Sequence, residues 1–184
     1  ATNESVNSLN EAETKLKTHD AFDEEYAGSQ PRLETIQKIA EEFVALSPPD
    51  AAEIQAKAEE VTNRWKGLED PQKFKREDLE KKLELEKKKE ALRLEFAKQA
   101  KEYVNWNKAA CNEVEDHNFG DSLEAVEGFR PHLDSTEHNK TTTSEGKKEN
   151  LDKLWDEMQQ LGVTENRYTP LTNQNIADLH NHLL

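Results

Sequence analysis

Three places in the sequence carry residue types that could do chemistry. The stretch DHNFGDSLEAVE, residues 116–127, sets Asp116, Asn118 and Glu127 at positions 1, 3 and 12 of a calcium loop, where oxygen ligands are needed. Its fifth position is Gly120 and its sixth, where the sharp turn requires glycine, is Asp121. The pattern fails at the turn, and the stretch reads better as a connection between helices. His180 and His182 are two residues apart, so on a helix they point in different directions and do not readily grip one metal. Cys111 has no evident basic neighbour beyond Lys108 and no pattern of a nucleophile, and reads as a small packing residue. No glycine loop that would cradle phosphate is present, and no Ser, His and Asp arrangement stands above chance. No catalytic, cofactor-binding or metal site is therefore expected, and the chain is read as not an enzyme.

A different kind of site is written into ALRLEFAKQAKEYVNW, residues 91–106. Leu92, Phe96, Tyr103, Trp106 and, beyond it, Ala110 are separated by four, seven, three and four residues, with Gln99 at the skipped position. That is the spacing of a heptad seam, by which one helix packs on others. The chemistry to look for is the burial of apolar surface between helices.

Composition agrees with that emphasis. The chain has 184 residues, room for one or two domains, and only 33% of them are apolar. Ala, Glu, Lys, Leu and Arg make up nearly half, the signature of coiled coils and long helices, while six Gly and six Pro leave little material for sheets. Narrow helical cores are expected rather than one large core. The net charge of −14 repels phosphate backbones and anionic head groups, so neither nucleic acid nor a membrane surface is expected as a partner. A single cysteine permits no internal disulfide, and a reduced, cytoplasmic setting follows as the default. No apolar run approaches the roughly 20 residues of a membrane span, and the polar start ATNESVNSLN lacks the apolar core of a signal peptide.

The elements that must carry the seam can be placed by periodicity. Val6, Leu9, Leu16, Phe22, Tyr26, Leu33, Ile36, Ala40, Phe43 and Leu46 recur at three- and four-residue steps and predict a helix of about 40 residues, ended by SPPD at 47–50. A second stripe runs through Ile54, Val61, Trp65, Leu79, Leu92, Phe96, Tyr103 and Trp106 and predicts one helix over 51–116, about 100 Å long at 1.5 Å per residue. No single core covers such a helix, so its halves must belong to different bundles. Its middle, KREDLEKKLELEKKKEAL, reads as a solvated connector with acids and lysines interleaved. A third helical stretch, 122–161, carries Leu123, Val126, Phe129, Leu133, Leu151, Leu154 and Met158. Its centre, STEHNKTTTSEG, has no apolar stripe and is where the helix is expected to loosen. A short last helix starts near Thr172. Pro31 and Pro71 are expected to bend continuous helices, with Asp70 the alternative cap if a new helix begins at Pro71.

RLEFAKQAKEYVNW, together with KTHDAFDEEYAGSQPRLETIQKIAEEF before it and VTNRWKGL between, resembles the spectrin repeats of the α-actinin rod. The resemblance implies an all-α fold of elongated three-helix bundles with coiled-coil packing, joined by one long continuous helix. It places Trp65 at the tryptophan of a helix C and Trp106 at that of the following helix A. Residues 1–86 then supply helices B and C of one repeat, and 87–184 supply helices A, B and the start of C of a second. Leu179 stands where the family usually has tryptophan. The seam of the two bundles falls to Phe22, Tyr26, Ile36, Phe43, Trp65, Leu92, Phe96, Tyr103, Trp106, Phe129 and Leu154.

The same resemblance implies a cytoskeletal, non-enzymatic spacer that pairs as an antiparallel homodimer, meets actin filaments only through domains absent here, and offers docking surface to other cytoskeletal proteins. A bundle lacking one helix exposes an apolar groove, which independently favours association. Two other readings remain open: a docking module that takes a helix from a different protein without self-association, and a membrane-remodelling helical dimer, which the acidic charge disfavours.

Overall fold

The computed structural model describes residues 5–115 and 121–183. Among these residues every regular element is helical: α1 Leu9–Ala45, α2 Ala51–Lys66, α3 Glu69–Val114, α4 Leu123–Gln160 and α5 Asn173–Leu183. The chain divides into two units, Ala1–Lys87 and Lys88–Leu184, with α3 contributing its first part to one and its remainder to the other.

The helix ends are set by local chemistry. Ser8 is extended (φ −155°, ψ 157°) and its hydroxyl accepts from the Glu11 amide at 3.2 Å, while the Glu11 carboxylate reaches back to accept from the Asn7 amide at 3.0 Å. This is a close relative of the capping box, in which two otherwise unbonded amides are satisfied reciprocally. α1 ends where Ser47 takes a left-handed conformation (φ 52°) before Pro48 and Pro49, neither of which has an amide hydrogen to continue the ladder. Pro31 lies inside α1 without interrupting it.

The helix expected over 51–116 is interrupted. Gly67 and Leu68 form a turn, with the Gly67 amide bonded to Asn63 O at 2.9 Å and the Leu68 amide to Trp65 O at 3.0 Å. α3 starts at Glu69 and is 46 residues long. Pro71 therefore sits in a first turn, where its missing amide is no loss, and Asp70 stands inside that turn beside Glu69 rather than capping it. The sequence pattern missed this break because the apolar stripe keeps its step on both sides of the turn.

α4 corrects a second expectation. It runs unbroken through STEHNKTTTSEG, and the buried part of its surface begins in that stretch, at Ser144 with no measurable exposure. The apolar start of the helix is the exposed part: Leu123 is 75% and Val126 46% exposed. Gly162 (φ 71°) closes α4 with its amide on Gln159 O at 2.9 Å and the Val163 amide on Met158 O at 2.9 Å. That is the Schellman geometry, and the hydrophobic pair that accompanies it, Met158 and Val163, is buried. Thr172 and Asn175 cap α5 reciprocally.

The core of unit 2 gathers Leu92, Phe96, Ala100, Tyr103, Leu151, Met158, Val163 and Ile176, with Trp106, Leu154 and Trp155 packed against it. Burying one large apolar side chain there contributes about 1.5–3 kcal/mol. Among the described residues of unit 1 no comparable set is found, those buried being Ala12, His19, Ala40, Leu79 and Glu86.

Candidate functional site

Unit 1 holds itself together largely through polar and aromatic contacts. α1 packs on α2, where the Tyr26 ring stacks on Trp65 with centroids 4.2 Å apart and the Tyr26 hydroxyl donates to Trp65 O at 3.2 Å. Further along, Gln37 Nε2 donates to Thr62 Oγ1 at 2.9 Å. α1 meets the start of α3 through the buried His19, whose Nε2 lies 3.1 Å from Gln72 O, through Gln72 Nε2 donating to Asp23, and through Arg76, which pairs with Asp20 at 2.5 Å. Phe22 stacks between His19 and Tyr26 and remains 44% exposed.

The two sides of the α1–α2 hairpin differ in chemistry. One side forms a groove of about 550 Å³ in which Gln37, Glu41, Gln55, Glu59, Thr62 and Asn63 alternate with the small apolar residues Ala40, Val44, Ala45 and Ala58. The other forms a groove of about 590 Å³ whose walls are Ile36, Ile39, Phe43, Ile54 and Val61, with charge only at Asp50, Glu53 and Lys57. Ile36, Ile39 and Phe43 are 45%, 49% and 52% exposed, and Val61 42%. Each of these half-exposed side chains would contribute roughly 1 kcal/mol if covered by apolar surface. The apolar side is the candidate site, and what it can do is bind a helix.

Of the residues assigned to the seam, Ile36, Phe43 and Phe22 thus stand at the surface in unit 1, with Tyr26 and Trp65 half-buried against each other. In unit 2, Leu92, Phe96 and Tyr103 are buried, Leu154 and Trp106 pack on the core, and Phe129 is half-buried beside His132. The fully buried line of α3 continues through Ala100 and Asn107 rather than Gln99 and Trp106. Trp106 lies at the margin, its ring 5.9 Å from that of Tyr103 and 6.0 Å from the Lys147 ammonium.

Sequence reasoning passed over Ser144, Asn107 and Ile39. Ile39 could have been found, since it lies three residues after Ile36 and four before Phe43. Ser144 carried no apolar signal. Its hydroxyl sits 2.8 Å from the Tyr103 hydroxyl and 2.7 Å from His180 Nδ1, and Asn107 Nδ2 donates to Leu179 O at 3.0 Å. Burial pushes the Tyr103 phenol above its ordinary pKa, against the opposing pull of hydrogen bonds with Ser144 and Asn107.

A second polar cluster holds the α4–α5 connector to α3. Glu90, its side chain 13% exposed, accepts from the Tyr168 hydroxyl and from Arg167, and from Arg93 at 3.3 Å. Asn166 Nδ2 donates to Arg93 O at 2.8 Å. Burial works to raise the Glu90 pKa, but the bonds from Tyr168, Arg167 and Arg93 outweigh it and leave the carboxyl below its ordinary range.

The calcium-like positions Asp116, Asn118 and Gly120 lie outside the described residues. Among the described residues no group of three or more His, Cys, Asp or Glu side chains could hold a metal ion. His180 is engaged with Ser144, and Cys111 donates weakly to Asn107 Oδ1 at 3.7 Å. No helix of the described residues is long and apolar enough to cross a membrane.

Helical bundles with heptad packing and an open two-helix face define a class, and comparison with known proteins names it. Residues 1–81 match the spectrin repeat. The chain is 31% identical over 178 residues to an α-actinin of Dermatophagoides farinae, covering 92% of this chain and 20% of that one. It is 30% identical over 143 residues to α-actinin-1 of Homo sapiens, covering 78% of this chain and 16% of that one, and 31% identical over 121 residues to α-actinin-1 of Gallus gallus, covering 66% and 14%. Residues 1–81 thus carry the likeness to the spectrin repeat, and over most of its length the chain is similar to α-actinins. It spans a fifth or less of the length of these relatives.

Proposed function

We propose that this chain is a non-enzymatic structural rod segment of an α-actinin-like protein that cross-links actin filaments. Its task is to pair antiparallel with a second copy and so to set the distance between actin-binding ends carried elsewhere. Residues 1–86 and 87–184 act as successive spectrin-like repeats, the first one open. It works in the cytoplasm as part of the cytoskeleton, with other cytoskeletal proteins docking on its surface. Actin contact is left to other parts of the protein.

The observation that carries the reading is the exposed apolar wall of Ile36, Ile39, Phe43 and Val61 in unit 1. A contiguous uncovered wall of that kind on an acidic chain marks a place where another helix belongs. The net charge of −14 keeps anionic polymers and lipids away, and the repulsion it sets up between two copies is a cost that the apolar contact has to exceed.

Energy transfer between labelled chains tests orientation and pairing together. With Cys111→Ser as background, a donor on a cysteine added at one chain's amino end is mixed with an acceptor at the carboxyl end of another. Transfer in that pairing, and little when both labels are amino-terminal, is expected. Transfer only between like ends would replace the antiparallel reading with a parallel one, and none in either pairing would favour a docking module that takes a different protein.

A further inference from the structure

We propose that Tyr168 is a phosphorylation site, and that adding a phosphoryl group there releases the α4–α5 connector from α3. The chain has three tyrosines, and their settings differ sharply. Tyr103 has no measurable exposure and its hydroxyl is committed to Ser144. Tyr26 is inside α1, its ring flat against Trp65 and its hydroxyl on Trp65 O. A kinase must draw a short extended segment into its cleft, which for either of these means unwinding a packed helix. Tyr168 instead lies between α4 and α5, outside any helix, and is 44% exposed.

Its surroundings turn the modification into a change of contacts. The Tyr168 hydroxyl donates to the Glu90 carboxylate, and Arg167 contacts both: its Nη2 donates to Glu90 and lies 3.0 Å from the Tyr168 hydroxyl. The Arg167 guanidinium also stands 5.1 Å from the centre of the Tyr168 ring. In the reaction the phenol oxygen attacks the γ-phosphorus of ATP held by a protein kinase. The new O–P bond forms as the bond to the β–γ bridging oxygen breaks, ADP leaves, and the phenolic proton passes to the kinase's catalytic base.

The product cannot keep the old arrangement. Phosphotyrosine has lost the O–H donor and carries about −1.5 to −2 charges at neutral pH. Set against Glu90, whose side chain is 13% exposed and little screened, it repels the carboxylate it formerly bonded. Arg167, already in reach of that oxygen, transfers from Glu90 to the phosphate, since guanidinium pairs bidentately with phosphate. Glu90 keeps Arg93, and the connector keeps two bonds to α3: Asn166 to Arg93 O at 2.8 Å and Arg93 Nε to Glu165 O at 3.3 Å. Because the connector packs Val163 and Leu171 on the core of unit 2, loosening it loosens the docking of α5.

The test uses the intact chain, a purified tyrosine-kinase catalytic domain of broad specificity and Mg-ATP. Mass spectrometry is expected to find phosphate on Tyr168 and not on Tyr26 or Tyr103. Amide exchange over residues 164–171 is expected to rise about tenfold in the phosphorylated chain. Glu90→Gln, which removes the repelling charge, is expected to shrink that rise severalfold. Tyr168→Phe is the folded control that takes up no phosphate. No incorporation at Tyr168, preferential incorporation at Tyr26, or a phosphorylated chain with unchanged exchange over 164–171 would each overturn the proposal.

Discussion

Tyr103 and Ser144 meet hydroxyl to hydroxyl at 2.8 Å, on α3 and α4, at a point where neither residue is exposed. His180 Nδ1, 2.7 Å from the same serine oxygen, extends the contact to α5. One small polar side chain thus joins three helices inside an apolar core. The apolar residues around it would tolerate a slipped register far better than this trio does, because a buried hydroxyl without a partner is costly.

Ser144→Ala is therefore expected to destabilise the chain by about 1–3 kcal/mol, mostly through the lost bonds to the buried Tyr103 hydroxyl and to His180 Nδ1. Tyr103→Phe made in the Ser144→Ala background should cost less than it does alone, because the partner is already gone. Urea unfolding of both single variants and the double variant gives the coupling. Strict additivity would mean that the trio does not act as a unit.

Alkaline unfolding reports on the same place. The folded-state pKa of Tyr103 is raised by burial, so its contribution is fully present below the unfolded value of about 10 and is lost as pH climbs through the higher folded value. Tyr103→Phe should flatten the alkaline limb of a stability-versus-pH curve relative to the parent chain. An unchanged limb would contradict the burial argument.

Glu90 carries the opposite sign. Its folded-state pKa is depressed by Tyr168, Arg167 and Arg93 against the opposing effect of burial, so its contribution is present above the ordinary carboxylate value and is lost as pH falls through the lower folded value. Glu90→Gln should lose stability at neutral pH and show a shallower acid limb, checked by thermal unfolding from pH 7 to pH 3.

Two glycines predict opposite outcomes. Gly162 has φ 71° with open space where a Cβ would lie, so Gly162→Ala is penalised by conformation alone, by about 1 kcal/mol. Gly146 lies within α4, also with open space around it, so Gly146→Ala should stabilise by roughly 0.5–1 kcal/mol. Paired melting curves should move in opposite directions.

Periodicity revealed most of the fold because helices of 37, 46 and 38 residues repeat their signal many times. The seam through Leu92, Phe96 and Tyr103 was legible for the same reason. The turn at Gly67–Leu68 was not, because Trp65 and Leu68 keep the helical step across it. In α4 the sequence pointed the wrong way: Leu123 and Val126 drew attention and are exposed, while Ser144 is buried by virtue of its small size and its two partners. Hydropathy ranks a serine below a leucine wherever it stands, and only the three-dimensional arrangement shows that its hydroxyl is satisfied. An apolar groove in unit 1 was expected from the sequence, whereas its inclusion of Ile39 and the more polar lining of the opposite side became visible only in the structure.

The claim that this chain associates through that groove is tested most directly by sedimentation equilibrium over a concentration series into tens of micromolar. A mass rising toward about 42 kDa, twice the chain's 21.1 kDa, is predicted, with Phe43→Glu holding the mass at that of one chain. A parent chain that stays at 21.1 kDa throughout would contradict the account.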